Sequence, residues 1–204
     1  TTYYWVGGGG DWGDLSHWAN TSGGLGSVYG YPPSPLDDVV FDQNSGFTTT
    51  SRTVTTPSYS GVTMRNMTWN NAPNNPIFDE NAMTDFVVLG NLTLQKEMTF
   101  RAQVLMMGNQ NATVTSNGAK IGGNLYIDKE GASVSLADSL ALYHVNVDNA
   151  RTGTIVLSNG TFNTNGHTIY ANGFVTYGVN PTTFNMANTT MHLRSVLVGA
   201  GTYS

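Results

Sequence analysis

The chain has 204 residues and a hydrophobic content of 39%, enough to bury one substantial core, and chains of this length commonly form a single all-β domain. Only 10% of the residues are charged, with eight Lys and Arg against thirteen Asp and Glu. Nucleic acid is excluded as a partner because no basic stripe is present to neutralise phosphates. No apolar run approaches the roughly 18 residues of a membrane-spanning helix, so we expect no direct membrane insertion.

The first 80 residues are irregular and rich in aromatic side chains. Trp5, Trp12 and Trp18 lie close in sequence around four consecutive glycines at 7–10. We predict that the three indoles pack as a cap over the core, since each buried aromatic removes roughly 150–250 Å² from water. The alternative is a glycan platform, in which exposed indole faces stack on sugar rings. The glycines lack the following helix and the lysine of a phosphate-binding loop, so we interpret them as a turn.

Acidic residues gather after the first proline-rich segment, as Asp37, Asp38 and Asp42. Carboxylate oxygens are ligands that Ca²⁺ prefers, so these three residues form a candidate calcium site. The run DQNSG at 42–46 resembles the opening of a calcium loop, but its glycine comes one position early and no terminal Glu follows. Asp side chains more commonly cap turns through neighbouring backbone. We therefore expect no bound cofactor or metal, with calcium as the alternative.

Strand signals follow in chain order, and no window of about 12 residues keeps a helical apolar period. The predicted strands are short runs with β-branched or aromatic residues at alternate positions. They cover residues 38–41, 52–56, 62–69, 85–94, 98–107, 112–116, 124–128, 132–136, 140–148, 153–157, 167–171 and 190–198.

Asn-Gly pairs separate many of these runs, at 117–118, 159–160, 165–166 and 172–173. Both residues tolerate positive φ, so each pair can turn the chain sharply. The short strands and close corners favour a right-handed parallel β-helix, with a β-sandwich of hairpins as the alternative.

Two segments result from this interpretation. Residues 1–80 form the N-terminal cap and first irregular coils, and residues 80–204 form a β-solenoid. The predicted inward residues are Leu92, Leu94, Leu105, Val114, Ile155, Leu157 and Ile169.

Catalytic patterns are weak throughout the chain. A polysaccharide lyase built on a β-helix needs a base and a charge-neutralising Lys or Arg on one face. Arg101, Lys129 and Arg151 could supply such a group only by converging from distant parts of the sequence. The four histidines lack zinc-ligand spacing. We predict a protein that is not an enzyme, and a lyase remains an alternative. Asn-x-Ser/Thr triplets recur, as they do in any chain rich in Asn and Thr.

Two N-terminal motifs resemble those of very large secreted surface proteins of gliding or surface-dwelling Bacteroidetes. The first is YWVGG-x-G-x-W-x-D-x-x-HW, matched by Trp5 to Gly8, Gly10, Trp12, Asp14, His17 and Trp18. The second is DDNVxFDxNSF, matched by Asp37, Asp38, Val40, Phe41, Asp42, Asn44 and Ser45. Val39 stands where that family has Asn, and Gly46 is inserted before Phe47. The similarity continues through residues 67–78, 90–94, 98–100 and 154–174.

The resemblance implies export by the type IX secretion system, a location at the cell surface and an adhesin-like role, including that of a gliding-motility adhesin. It implies as partners a surface polysaccharide or an abiotic surface, and secretion or motility proteins of the outer membrane. It also implies that this chain is the N-terminal portion of a longer protein. A carbohydrate-binding module is the alternative within the non-catalytic class.

Overall fold

A computed structural model describes residues 1–58, 60–80, 85–143, 153–177, 180–199 and 202–203. These residues form a protein that is all-β apart from one 3₁₀ helix at Leu15–His17. The strands are β1 (Thr2–Trp5), β2 (Gly10–Asp11), β3 (Trp18–Ala19), β4 (Asp38–Asp42), β5 (Thr53–Thr55), β6 (Val62–Met64), β7 (Asn66–Asn70), β8 (Ile77–Asp79), β9 (Phe86–Val88), β10 (Leu92–Thr93), β11 (Thr99–Arg101), β12 (Val104–Gly108), β13 (Ala112–Thr115), β14 (Lys120–Ile121), β15 (Leu125–Leu136), β16 (Leu140–Leu142), β17 (Thr154–Asn163), β18 (Ile169–Tyr170), β19 (Gly173–Thr176), β20 (Thr182–Asn185), β21 (Met191–His192), β22 (Ser195–Leu197) and β23 (Thr202–Tyr203).

Backbone pairing arranges these strands in three rows. The first row contains β1, β4, β7, β10, β13, the second halves of β15 and β17, β20 and β23. The second row contains β2, β5, β8, β11, β14, β16, β18 and β21. The third row contains β6, β9, β12, the first halves of β15 and β17, β19 and β22. From β4 onwards the chain visits the first, second and third rows in that order, repeatedly.

Neighbouring strands within a row are parallel, which confirms an all-β fold built from parallel strands. Among the described strands, the one antiparallel pair joins β1 to β3, with Trp5 opposite Trp18. Pairing also crosses residue 80, because β7 pairs with β10 and β8 pairs with β11. Parallel pairing within the rows therefore begins with β1 and continues across residue 80.

Along most strands, alternation sends every second side chain into one shared core. In the second row the register stacks Val54, Phe78, Phe100, Ile121 and Leu142, each with none of its surface exposed. In the first row it stacks Val39, Met67, Leu92, Val114 and Leu136. Apolar side chains thus meet apolar side chains in the next strand, where cross-strand contacts add to burial.

One predicted inward residue was wrong. Leu105 points outward, while its neighbours Val104 and Met106 are fully buried. The run from 104 to 107 is apolar at every position, so its sequence does not indicate which alternate side chains face the core. The strand register decides this, because Val104 pairs with Leu125 and Met106 with Ile127, which are both buried.

The other predicted inward positions are buried, and several predicted strands divide in two. Leu92, Leu94, Val114, Ile155, Leu157 and Ile169 have no exposed surface. The predicted runs at 62–69, 85–94, 98–107 and 190–198 each contain a corner and form two strands. The runs at 124–128 and 132–136 instead join into β15, whose register shifts around Gly131. Residues 144–148 of another predicted run lie outside the described residues.

Two of the four Asn-Gly pairs have positive φ at both residues, and they turn the chain between parallel strands rather than in hairpins. Asn117 and Gly118 have φ of 49° and 82°, and Asn165 and Gly166 have 52° and 77°. Each pair connects a first-row strand to the following second-row strand.

Gly160 offers a test of this backbone, because it lies in β17 where the chain passes from the third row to the first. Its φ is 83°, and a Cβ there would lie 2.1 Å from the Lys129 carbonyl oxygen. Gly118 has φ 82° with nothing within 4 Å of such a Cβ. Gly118→Ala should cost about 1–2 kcal/mol of backbone strain. Gly160→Ala should cost about 1–3 kcal/mol more through overpacking.

The measurement is the free energy of unfolding in urea for both variants. Equal losses would contradict the close approach of the two backbones at Gly160.

Candidate functional site

The three tryptophans proposed as a cap or a glycan platform are buried. Trp5 and Trp18 have no exposed surface, and Trp12 is 1% exposed. The Trp18 ring meets Trp5 and Trp12 edge to face, with centroids 4.9 and 4.8 Å away. The indole N–H groups of Trp5 and Trp18 have partners within the protein. Trp5 donates to the Gly8 carbonyl oxygen and Trp18 to the Trp12 carbonyl oxygen. None of the three indoles presents a face to a sugar ring.

The aromatic contacts continue from these tryptophans into the core that the three rows share. Trp12 lies 6.2 Å from Phe78 between ring centroids, and Phe78 stacks on Phe100 at 5.2 Å. Phe41 stacks on Trp69 at 3.8 Å with almost parallel rings. The N-terminal tryptophans are therefore part of the main core.

The structure does not bring the three candidate calcium ligands together. Asp38 begins β4 and Asp42 ends it, so the Cα atoms of these two residues are separated by about 13 Å along the strand, and Asp37 directly precedes β4. Asp37 pairs with the N-terminal amine at 3.1 Å and accepts a hydrogen bond from Ser34. These partners hold the carboxyl pKa below its usual range although burial opposes them.

The other two carboxylates also have protein partners. Arg65 donates to both oxygens of Asp38, at 2.7 and 2.5 Å, and this bonding lowers the Asp38 pKa. Asp42 accepts from the backbone N–H of Asn44 at 2.8 Å, the turn-capping role that the sequence suggested as the common one. Among the described residues, no three His, Asp or Glu side chains are grouped closely enough to hold a metal ion.

The basic residues considered for lyase chemistry have separate partners. Arg101 pairs with Asp79 at 3.3 Å in the second row. Lys129 is fully buried, and its ammonium donates to the carbonyl oxygens of Leu89 and Met107 at 2.5 and 2.6 Å. Burial lowers the Lys129 pKa to about 8. Arg151 lies outside the described residues. Within the described ranges, no helix is both long and apolar enough to cross a bilayer.

A line of asparagines occupies the connections from the third row to the first. The Asn66 Oδ1 atom accepts from the backbone N–H of Asn91 at 2.6 Å, and the Asn91 Oδ1 atom accepts from Thr113 at 2.8 Å. The Asn111 Oδ1 atom accepts from the N–H and hydroxyl of Ser133 at 3.0 and 3.1 Å. Each side chain thus binds the backbone one strand further along the row.

A groove of about 400 Å³ runs across these connections. Its lining includes Leu36, Leu89, Gly90 and Gly108 with the exposed residues Asn91 and Asn111. Sequence reasoning missed this site, because it noticed the two asparagines only within Asn-x-Thr triplets. The signal was their position directly before an inward residue, Leu92 or Ala112, at the start of a strand.

Glu80 is a second polar group that the sequence did not single out. Its Oε2 atom accepts from the backbone N–H of Gln103 at 2.7 Å, and its Oε1 atom is buried with no hydrogen-bond partner among the described residues. Burial, reinforced by the charge of Asp85, raises the Glu80 pKa to about 7 against the opposing bond from Gln103. The carboxylate form is therefore disfavoured in the folded protein.

Comparisons of the chain with protein-family models, with curated proteins and with solved structures found no match.

Trp12→Ala should lower the free energy of unfolding by about 3–5 kcal/mol, because it opens a cavity between the N-terminal aromatics and Phe78. Tyr177→Ala is the matched control, since that ring is 53% exposed. Thermal and urea unfolding measure both variants. Similar small losses would show that the indole contributes little to the core.

Glu80→Gln should change how stability depends on pH. A folded pKa of about 7, above the ordinary 4.5, means that wild-type stability is fully present below pH 4.5 and is lost as the pH rises through 7. The amide keeps an oxygen for the Gln103 N–H and cannot ionise, so the variant should lack this loss.

Melting temperatures between pH 4 and 8 measure the effect, with the exposed Glu130→Gln as the control that follows the wild type. Parallel profiles for wild type and Glu80→Gln would contradict the burial argument.

Proposed function

We propose that this chain is a non-catalytic adhesive segment of a cell-surface protein, built as a right-handed parallel β-helix. The observation that carries the proposal is the repeated visit to three rows in one order, with in-register parallel pairing. Such a path stacks one coil on the next at about 4.8 Å per strand and produces a long body with extended flanks. Extended flanks suit broad contacts with a surface.

The chemistry of the flanks supports the same proposal. In the first row, Thr68, Thr93 and Thr115 occupy one outward register, and Asn163 pairs with Asn185 in another. Hydroxyl and amide groups offer hydrogen bonds without carrying charge, so the flank stays hydrated and can meet polar surfaces. Hydrogen bonds between uncharged groups are little affected by ionic strength, because salt screens interactions between charges.

The N-terminal motifs support export by the type IX secretion system and a place at the cell surface, including the role of a gliding-motility adhesin. Surface polysaccharide or an abiotic surface is the proposed contact, with secretion or motility proteins of the outer membrane as further partners. A carbohydrate-binding module is the second candidate, favoured by the asparagine-lined groove.

Deletion of the parent gene tests the proposal when attachment, spreading and growth on polysaccharides are scored separately. We expect attachment or spreading to fall while growth is unchanged, because the protein makes contacts and does not degrade a nutrient. Restoring the gene in trans should restore the lost behaviour. Loss of growth on one polysaccharide, with attachment and spreading intact, would overturn the adhesive role.

A further inference from the structure

We propose that the groove at the third-to-first connections binds a neutral polysaccharide. Asn91 and Asn111 donate hydrogen bonds from Nδ2 to sugar hydroxyls, and Leu36 and Leu89 contact the apolar face of a sugar ring. The inference rests on the adhesive function proposed above and names a contact site for it.

The two asparagines are oriented before any ligand arrives. Their Oδ1 atoms accept from the backbone of the next first-row strand, which fixes each side-chain amide. Neither Nδ2 atom has a hydrogen-bond partner among the described residues, and both side chains are exposed in the groove. Donors that are already held in place lose little conformational entropy when they bind.

An apolar surface accompanies these donors. Leu36 is 78% exposed at one side of the groove, and Leu89 is partly exposed on its floor. Gly90 and Gly108 add no side chains to the lining, and a Cβ at Gly90 would lie 2.3 Å from Asn66 Oδ1. Apolar contact beside a few fixed polar groups is the usual composition of a small-molecule site.

The charge in the groove favours a neutral ligand. Arg65 lines it, but Asp38 binds the guanidinium through two hydrogen bonds. The Lys129 ammonium is fully buried and donates to the carbonyl oxygens of Leu89, which lines the groove, and of Met107. Its role is positional, because it fixes the backbone before Gly90 and Gly108. The remaining polar side chains among the described lining residues are amides.

A polymer fits this site better than a protein strand does. The groove crosses strands that already have partners on both sides within their rows, so the described strands offer no free edge here for an added strand. The asparagines recur on successive strands, about 4.8 Å apart across a row. A glycan offers hydroxyl groups repeatedly along its length and can engage more than one of them.

Affinity electrophoresis of the 204-residue chain tests the site, in gels containing dextran, mannan, galactan or hydroxyethyl cellulose. Alginate and polygalacturonate gels form the acidic arm. Asn91→Asp and Asn111→Asp retain an oxygen for the backbone N–H and remove the amide donor. Leu36→Ala removes apolar surface from a residue that is mostly exposed. Asn124→Asp is the matched control, because Asn124 Oδ1 accepts from Thr154 N–H at a different connection.

We expect at least one neutral polysaccharide to retard the chain. Asn91→Asp and Asn111→Asp should each raise the dissociation constant roughly tenfold, the effect of losing one hydrogen bond. Leu36→Ala should also weaken binding, and Asn124→Asp should bind like the wild type. Thermal unfolding of every variant checks folding, and Leu36→Ala decides the question if an aspartate variant is unfolded.

Three results would overturn the site: retardation by none of the neutral polysaccharides, retardation only by the acidic ones, or unchanged binding by the groove variants. Cells that carry Asn91→Asp with Asn111→Asp separate this inference from the adhesive function. If gene deletion abolishes attachment and these cells attach normally, the groove fails and the adhesive function stands. If deletion leaves attachment and spreading intact, the adhesive function fails, while glycan binding in the gel stands by itself.

Discussion

In-register pairing between parallel strands is the constraint on which the rest of this structure depends. A strand such as β11 pairs with β8 on one side and β14 on the other, so Phe100 lies between Phe78 and Ile121 in the core. The same registers place the outward side chains in lines. A shift of one residue would send a whole strand's apolar set to solvent. The core and the outer lines are therefore fixed together.

The sequence predicted short strands, buried tryptophans and most inward positions, because alternation and aromatic density are local properties. It did not predict the divisions at Arg65 and Leu89, since these corners contain no Asn-Gly pair and resemble strand interior. The prediction that Leu105 faces the core was also wrong. That residue points outward in register with Val87 and Tyr126, and a line of apolar residues on the outside has the same sequence pattern as one in the core. Only pairing with distant strands distinguishes the two.

The candidate site was less predictable than the fold. Its asparagines come from separate connections, and their hydrogen bonds join residues 22 to 25 positions apart. An Asn-x-Thr triplet in a chain rich in both residues carries little information by itself. The hydrogen bond of Lys129 was equally hard to predict, because its partner Leu89 lies 40 residues earlier. The proposed calcium ligands did not converge for the opposite reason, since they follow one another along β4 and the residue before it.

The short strand β3 has a consequence for how the protein behaves at high concentration. An unpaired edge of a parallel sheet exposes a row of N–H and C=O groups that can recruit a strand from another molecule. Here β3 covers the outer edge of β1 in antiparallel orientation, and the first strand of the second row, β2, is only two residues long. Edge-to-edge aggregation at this end of the first row is thus obstructed by the same segment that buries Trp18 in the core.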